Sequence, residues 1–291
     1  MSRKPLRNEV HRSIALMKLS GTLLVAFRKG KYFACGKLAL LISVLFCFLC
    51  STQDLPVLFE EVFMQQQFTA AHFLHSIAKL SYHLVLLNFY FVQLFRTKKM
   101  AGLLNIILQV DNLMHFKYSS FSFIFFSVSL TSTILVNMIV SYTSKNLSVA
   151  LIFCDLYMEF YLSASTINVL LFAHLIFSIN HNLNNNIFTC EPDINLTLKL
   201  RIVRNIMNEA VDEFQSLFGF SIFLVIFDRA LYFMQDINEL FEIGIYFVCF
   251  HSLRDKTIFN VLYNASWALL DLTLVLAIVV SCARIEVEVR F

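Results

Sequence analysis

The stretch "SWALLDLTLVLAIVVSCARIEVEVRF", Ser266–Phe291, decides what kind of chain this is. Ser266–Ala283 is one apolar run broken by a single charge, Asp271, and Arg284, Glu286, Glu288 and Arg290 follow at once. A bilayer-crossing helix needs about 20 mostly apolar residues, and this run, extended back to Ile258, supplies them. The rest of the chain repeats the pattern. It is 58% hydrophobic with only six glycines and three prolines in 291 residues, and its mean hydropathy is +0.70. Soluble domains sit nearer 45–50% apolar. Its apolar residues come in long runs between short charged loops, without the alternation of an outer-membrane barrel. The expectation is an all-α, polytopic transmembrane helical bundle.

Six spans are read from the runs: residues 38–51, 68–95, 121–142, 147–177, 218–241 and 258–283. "FEIGIYFVCFHSL" (Phe241–Leu253) is too short for a further crossing, so it either extends the fifth span or lies at the interface. Positive charge sets the orientation. Arg3, Lys4, Arg7, Arg12, Lys18, Arg28, Lys29, Lys31 and Lys37 precede the first span. Arg96, Lys98, Lys99 and Lys117 follow the second, Lys199, Arg201 and Arg204 the fourth, and Arg284 and Arg290 the sixth. The opposite side holds Lys145, Arg254 and Lys256. Both termini are therefore expected in the cytoplasm, with residues 1–37 as a cytoplasmic N-terminal segment and 1–291 as a single transmembrane domain. No cleavable signal peptide is evident. Of the sequons, Asn146 and Asn264 fall outside but hug the membrane, and Asn195 falls inside.

"INLTLKLRIVRNIMNEAVDEFQSLFGF" runs into the fifth span without a proline. Leu196, Leu200, Val203, Met207, Val211, Phe214 and Phe218 recur at steps of three and four, one stripe of a helix. The fifth helix should therefore continue about five turns beyond the membrane, either as an ordinary amphipathic segment or as part of a coupling bundle. "LFRTKKMAGLLNIILQVDNLMHF", after the second span, has the same character.

Ionisable groups within spans are expensive and are site candidates by default. Those singled out are Lys79 and His83 on the second span, Asp155 and Glu159 on the fourth, Asp228 and Arg229 on the fifth, and Asp271 on the sixth. Lys79/His83 and Asp155/Glu159 are each four apart and share a helix face. They fit internal ion pairs that hold the bundle together, the polar floor of a ligand pocket, or an ion path. Trp267 joins them as a pocket-wall candidate, with Tyr82, Tyr157, Tyr161 and Tyr232. The seven cysteines lie mostly in apolar runs with no CxxC and read as unpaired. The eight histidines show no HxxxH, so no metal and no cofactor is called. There is no P-loop, GxSxG or Gly-rich dinucleotide turn, which argues against an enzyme. The basic N-terminal segment is explained by topology and anionic lipid rather than by nucleic acid.

With these features in view, the chain resembles the insect gustatory receptor family of chemoreceptors. The resemblance rests on the inside N-terminus, on "LFRTKKMAGLLNIILQVDNL", and on "LRIVRNIMNEAVDEFQSLFGFSIFLVIFDRALYF". It rests also on the final span, with Trp267 early and Cys282 before Glu286 and Glu288. The resemblance implies a plasma-membrane, tetrameric, ligand-gated cation channel that binds a small tastant in a pocket built from the second to sixth helices. Its expected partners are the tastant, the lipid bilayer and other receptor subunits in a homo- or hetero-tetramer. The family's most specific motif, Thr-Tyr, five mostly apolar residues, then Gln-Phe in a seventh span, is not found here. The expectation is a receptor lacking that span, with a non-conducting partner or a decayed receptor as the alternative. A small secondary transporter using the membrane carboxylates is a third reading, against which stands the absence of an internal repeat or broken helices.

Overall fold

The computed structural model describes residues 4–5, 25–34, 41, 45, 49, 70–114, 117–118, 149–189, 194–250 and 255–290. Side chains are described over the shorter ranges 25–34, 73–114, 157–185, 197–244 and 261–289, and at 41, 45 and 49. Four long helices dominate: α1 (Ala70–Met114), α2 (Val149–Thr189), α3 (Ile194–Phe250) and α4 (Asp255–Arg290). Each carries a segment long and apolar enough to cross a membrane: Phe73–Met114, Tyr157–Asn185, Thr197–Gly244 and Val261–Val289. They correspond to the second, fourth, fifth and sixth spans read from the sequence. The third span, and all of the first but Leu41, Leu45 and Leu49, lie outside the described residues.

The helices run so long because nothing interrupts them. None contains a proline. Hydrocarbon offers a backbone no hydrogen bonds from water, so an uninterrupted helix is the cheapest way across. Pro192 falls in the short interval between α2 and α3, and proline disfavours helix in the residue before it. Phe241–Phe250 continues α3 as helix. At 1.5 Å per residue the 57 residues of α3 extend roughly 85 Å, and the 45 of α1 roughly 68 Å. Both far exceed the bilayer's hydrocarbon core of about 30 Å.

Cross-helix contacts fix the register. Asn88 Nδ2 donates to Ser221 Oγ at 2.7 Å, and Arg96 bonds the Ser216 carbonyl. Residue numbers rise along α1 as they fall along α3, so the two are antiparallel. Asn184 on α2 meets Glu288 on α4, whereas Asn264 on α4 meets Glu239 on α3. Thus α1, α2 and α4 point one way and α3 the other. Leu200, Val203, Met207, Val211, Phe214 and Phe218 are all buried, as the stripe in the sequence requires. Arg201, Glu209 and Asp212, off the stripe, are exposed. Leu103, Leu104 and Ile107 of α1 and Phe172 of α2 complete this end of the core, with Phe172 and Phe218 rings 5.5 Å apart. α2 is the most enclosed helix and α4 the least. Phe91 and Phe95 on α1, Phe220 and Phe223 on α3 and Leu269 and Leu276 on α4 face outward. A large contiguous apolar surface of this kind suits lipid rather than water.

Sequence periodicity gave no hint of the short strands. β1 (Lys4–Pro5) and β4 (Lys117–Tyr118) pair antiparallel, and so do β2 (Val25–Arg28) and β3 (Lys31–Ala34). Lys29 and Gly30 close the second pair with φ of 49° and 80°. Positive φ at both central residues gives a two-residue turn whose twist matches the strands. Asn105 on α1 grips this hairpin: the Tyr32 N–H donates to its Oδ1 at 2.7 Å and its Nδ2 donates to the Tyr32 carbonyl at 2.9 Å. Val25 and Tyr32 are buried against the core. Replacing Asn105 with Leu removes both bonds and leaves two backbone groups unmatched, at a cost of about 1–3 kcal/mol. Hydrogen exchange should then quicken across Val25–Ala34 and stay unchanged in α2 and α4.

Candidate functional site

The cluster at the centre of the bundle begins with two adjacent residues of α3. Asp228 and Arg229 sit on the stretch that faces the other three helices, and both are buried. An isolated buried guanidinium is untenable in an apolar medium. Here carboxylates from three helices surround it. Nη1 lies 3.1 Å from Asp271 Oδ1 on α4, Nη2 3.7 Å from Glu159 Oε2 on α2, and Nε 3.5 Å from Asp228 Oδ2 on its own helix. The Arg229, Asp228 and Asp271 side chains are at most 6% exposed and that of Glu159 is 22% exposed, so the cluster is nearly closed off. Ser81 on α1 donates to Asp228 Oδ1 at 2.6 Å. One guanidinium and its counter-ions therefore tie together all four helices.

The spacing of the residues explains how each arrives. Asp271 and Trp267 are four apart and share a face of α4. Trp267 packs edge-on to Tyr263 with ring centroids 6.2 Å apart, and its buried indole N–H has no acceptor among the described residues. Tyr232 follows Arg229 by one turn. Its ring centroid lies 5.9 Å from the guanidinium carbon and 6.3 Å from that of Tyr82 on α1. One to two turns further along α3 a second polar layer forms. Gln235 Nε2 contacts His75 Nδ1 at 2.8 Å and Glu239 Oε1 at 3.1 Å, while Asn264 donates to Glu239 Oε2 at 2.8 Å. This use of Asn264, which is 5% exposed, leaves no access for a glycan at that sequon. Half-buried Asp236 lies in the same stretch of α3, with an oxygen that accepts no hydrogen bond among the described residues.

Of the residues singled out from the sequence, Glu159, Asp228, Arg229 and Asp271 meet in one cluster. The cation that Glu159, Asp228 and Asp271 share is Arg229; Lys79 and His83 lie on α1. Those two flank Ser81 by two positions on either side, and residues two apart on a helix do not face the same way. His83 is buried beside Tyr82, and Lys79 is half-buried. Asp155 lies one turn before Glu159 on α2, and its side chain is outside the described residues. Sequence reasoning passed over Ser81, Asp236 and Glu239, and read Asn264 only as a sequon. A lone Ser or Asn in a span carries no charge to draw notice, and Glu239 sits where the span was taken to end. Among the described residues no group of His, Cys, Asp and Glu is disposed to hold a metal ion.

A separate polar contact closes the far end. Glu288 on α4 has His181 Nδ1 at 2.8 Å and accepts from Asn184 Nδ2 at 2.7 Å, both on α2. Comparison with models of known protein families and with curated proteins returns no match.

Removing one partner of a buried ion cluster costs more than the cluster itself contributes, since the remaining charges stay behind unpaired. Arg229→Leu should therefore destabilise the bundle by about 3–5 kcal/mol. Asp271→Asn leaves the guanidinium two other carboxylates and should cost clearly less. Thermal unfolding of the purified variants in one detergent provides the comparison.

Proposed function

We propose that this chain is a chemoreceptor subunit of the gustatory-receptor type, crossing the plasma membrane six times with both termini in the cytoplasm. In this reading a small tastant enters the outer half of the bundle and exchanges contacts with the Arg229 cluster, and the displacement is coupled to cation flux in a tetramer. The ligand class comes from the resemblance in sequence. The observation that supports the coupling is that Arg229 and the extension Leu200–Phe218 belong to one uninterrupted helix, α3. A ligand that moves α3 at Asp228 and Arg229 moves its other end too, where the extension packs on α1 and Arg96 holds the Ser216 carbonyl.

The cluster has hydrogen-bonding capacity to offer a ligand. A guanidinium carries five N–H donors, of which three nitrogens face carboxylates at 3.1–3.7 Å. A ligand hydroxyl or carboxylate can take the place of one of these long contacts. Trp267 Nε1–H is a further donor on the same face of α4 as Asp271. The three carboxylates around one cation are also what a proton-coupled transporter would use, which keeps transport as the second reading.

Expression of the chain in cells, alone and beside other receptor subunits, separates these readings. Tastant-evoked cation currents, weakened at least tenfold in apparent affinity by Trp267→Phe with surface expression unchanged, are the expected result. Currents only on co-expression assign a non-conducting partner role. Substrate uptake without current, abolished by Asp271→Asn, assigns transport. Surface-expressed, folded protein that gives neither current nor uptake in any combination overturns the proposal.

A further inference from the structure

The hairpin β2–β3 carries charge out of proportion to its size. Val25–Ala34 contains Arg28, Lys29 and Lys31 and no acidic residue. All three cations are exposed around the turn, and none has a carboxylate partner among the described residues. Phe33, on the opposite face of β3 from buried Tyr32, is 50% exposed. Such a segment would ordinarily be a mobile solvated turn. Here it is held in place by the two Asn105 hydrogen bonds to Tyr32, by burial of Val25 and Tyr32, and by the Phe27–Tyr32 ring contact at 5.0 Å. Lys29 also occupies a left-handed backbone position, φ 49°, that glycine or asparagine would take at lower cost. Strain at a non-glycine residue is a reason to look for a function of its side chain.

Position supplies the partner. The outward apolar residues of α1 run from Phe73 through Leu80, Leu84, Leu87 and Phe91 to Phe95. Arg96, Lys98 and Lys99 follow directly. Asn105 lies ten residues beyond Phe95, roughly 15 Å along the helix. A headgroup layer of about 5–7 Å and the Debye length of about 8 Å beyond it cover that distance. Of the described acids near this register, Asp111 on α1 is buried, Glu209 and Asp212 on α3 are exposed, and Glu213 on α3 is engaged by Lys99 at 3.7 Å. We infer that the β2–β3 hairpin is a docking surface for the anionic phospholipid headgroups of the adjoining leaflet, with Arg28, Lys29 and Lys31 as the cations. Clustered Lys and Arg side chains within a Debye length of the bilayer surface are what anionic leaflets attract. This inference needs the chain to cross a membrane but is independent of any taste ligand.

The test uses the full chain in detergent with an equimolar mixture of phosphatidylserine and phosphatidylcholine, with bound lipids counted by native mass spectrometry. Wild type should retain phosphatidylserine preferentially. Each cation removed should lower that preference on the order of fivefold, so Arg28→Gln/Lys29→Asn/Lys31→Gln should abolish it. Lys29→Asn alone suits the turn and should lose about fivefold while folding as wild type, which covers the event that the triple variant is unstable. Lys199→Gln/Arg201→Gln lowers the net charge elsewhere and should leave the preference intact. No preference in wild type, or an equal loss in the Lys199/Arg201 variant and the hairpin variants, overturns the inference. So does displacement of phosphatidylserine by soluble inositol hexakisphosphate at matched concentration, which would assign the hairpin to free phosphates.

Discussion

A guanidinium cannot sit alone in the middle of an apolar bundle. Once Arg229 is placed on α3, the positions of the other helices are constrained: Asp271 must come to it from α4, Glu159 from α2, and Asp228 must turn so that Ser81 on α1 reaches its other oxygen. Hydrophobic packing between helices in lipid is permissive, because the tails are as apolar as leucine, and polar contacts are what choose among similar arrangements. The buried ion cluster is thus better understood as fixing register than as adding stability. Desolvating its charges costs about as much as their attraction returns. A one-turn slip of α4 against α3 would move Asp271 roughly 5 Å away and leave an unpaired charge in the core.

The ends of the bundle are built by different means. At one end amide and carboxylate side chains exchange bonds between α1, α3 and α4, through His75, Gln235, Glu239 and Asn264. At the other, aliphatic and aromatic packing along Leu200–Phe218 does most of the work, with Glu288 pinned to His181 and Asn184 at its edge. The polar end can rearrange by trading hydrogen bonds of similar strength. The packed end can move only as a rigid unit, since close-packed interiors do not deform gradually.

The helices were legible in the sequence because their causes are local: apolar runs without proline, and a three-four stripe that dictates which face of α3 is buried. The stripe was right at each position whose side chain is described. The pairing of charges was less legible. Spacing placed Lys79 with His83 and Asp155 with Glu159 on shared faces, but which cation meets which carboxylate depends on how helices rotate about their axes, and that is set by contacts far apart in sequence. Arg229 stood next to Asp228, and adjacency hid that it reaches across to α2 and α4 as well. The hairpin was illegible for the opposite reason. "VAFRKGKYFA" is a few residues of alternation inside a basic segment, and its fold depends on Asn105, more than 70 residues away.

Among the described helices α3 alone runs against its neighbours, and Arg229 divides it into a long arm and a short one. That makes it a lever with an off-centre fulcrum. From Arg229 to Leu200 is roughly 43 Å of helix, against about 22 Å from Arg229 to Gly244. A tilt of about 5° at the fulcrum would carry Leu200 about 4 Å sideways and Gly244 only half as far. Small adjustments among the polar side chains would thus arrive at the far end of α3 doubled in amplitude, at the helix faces that pack against α1.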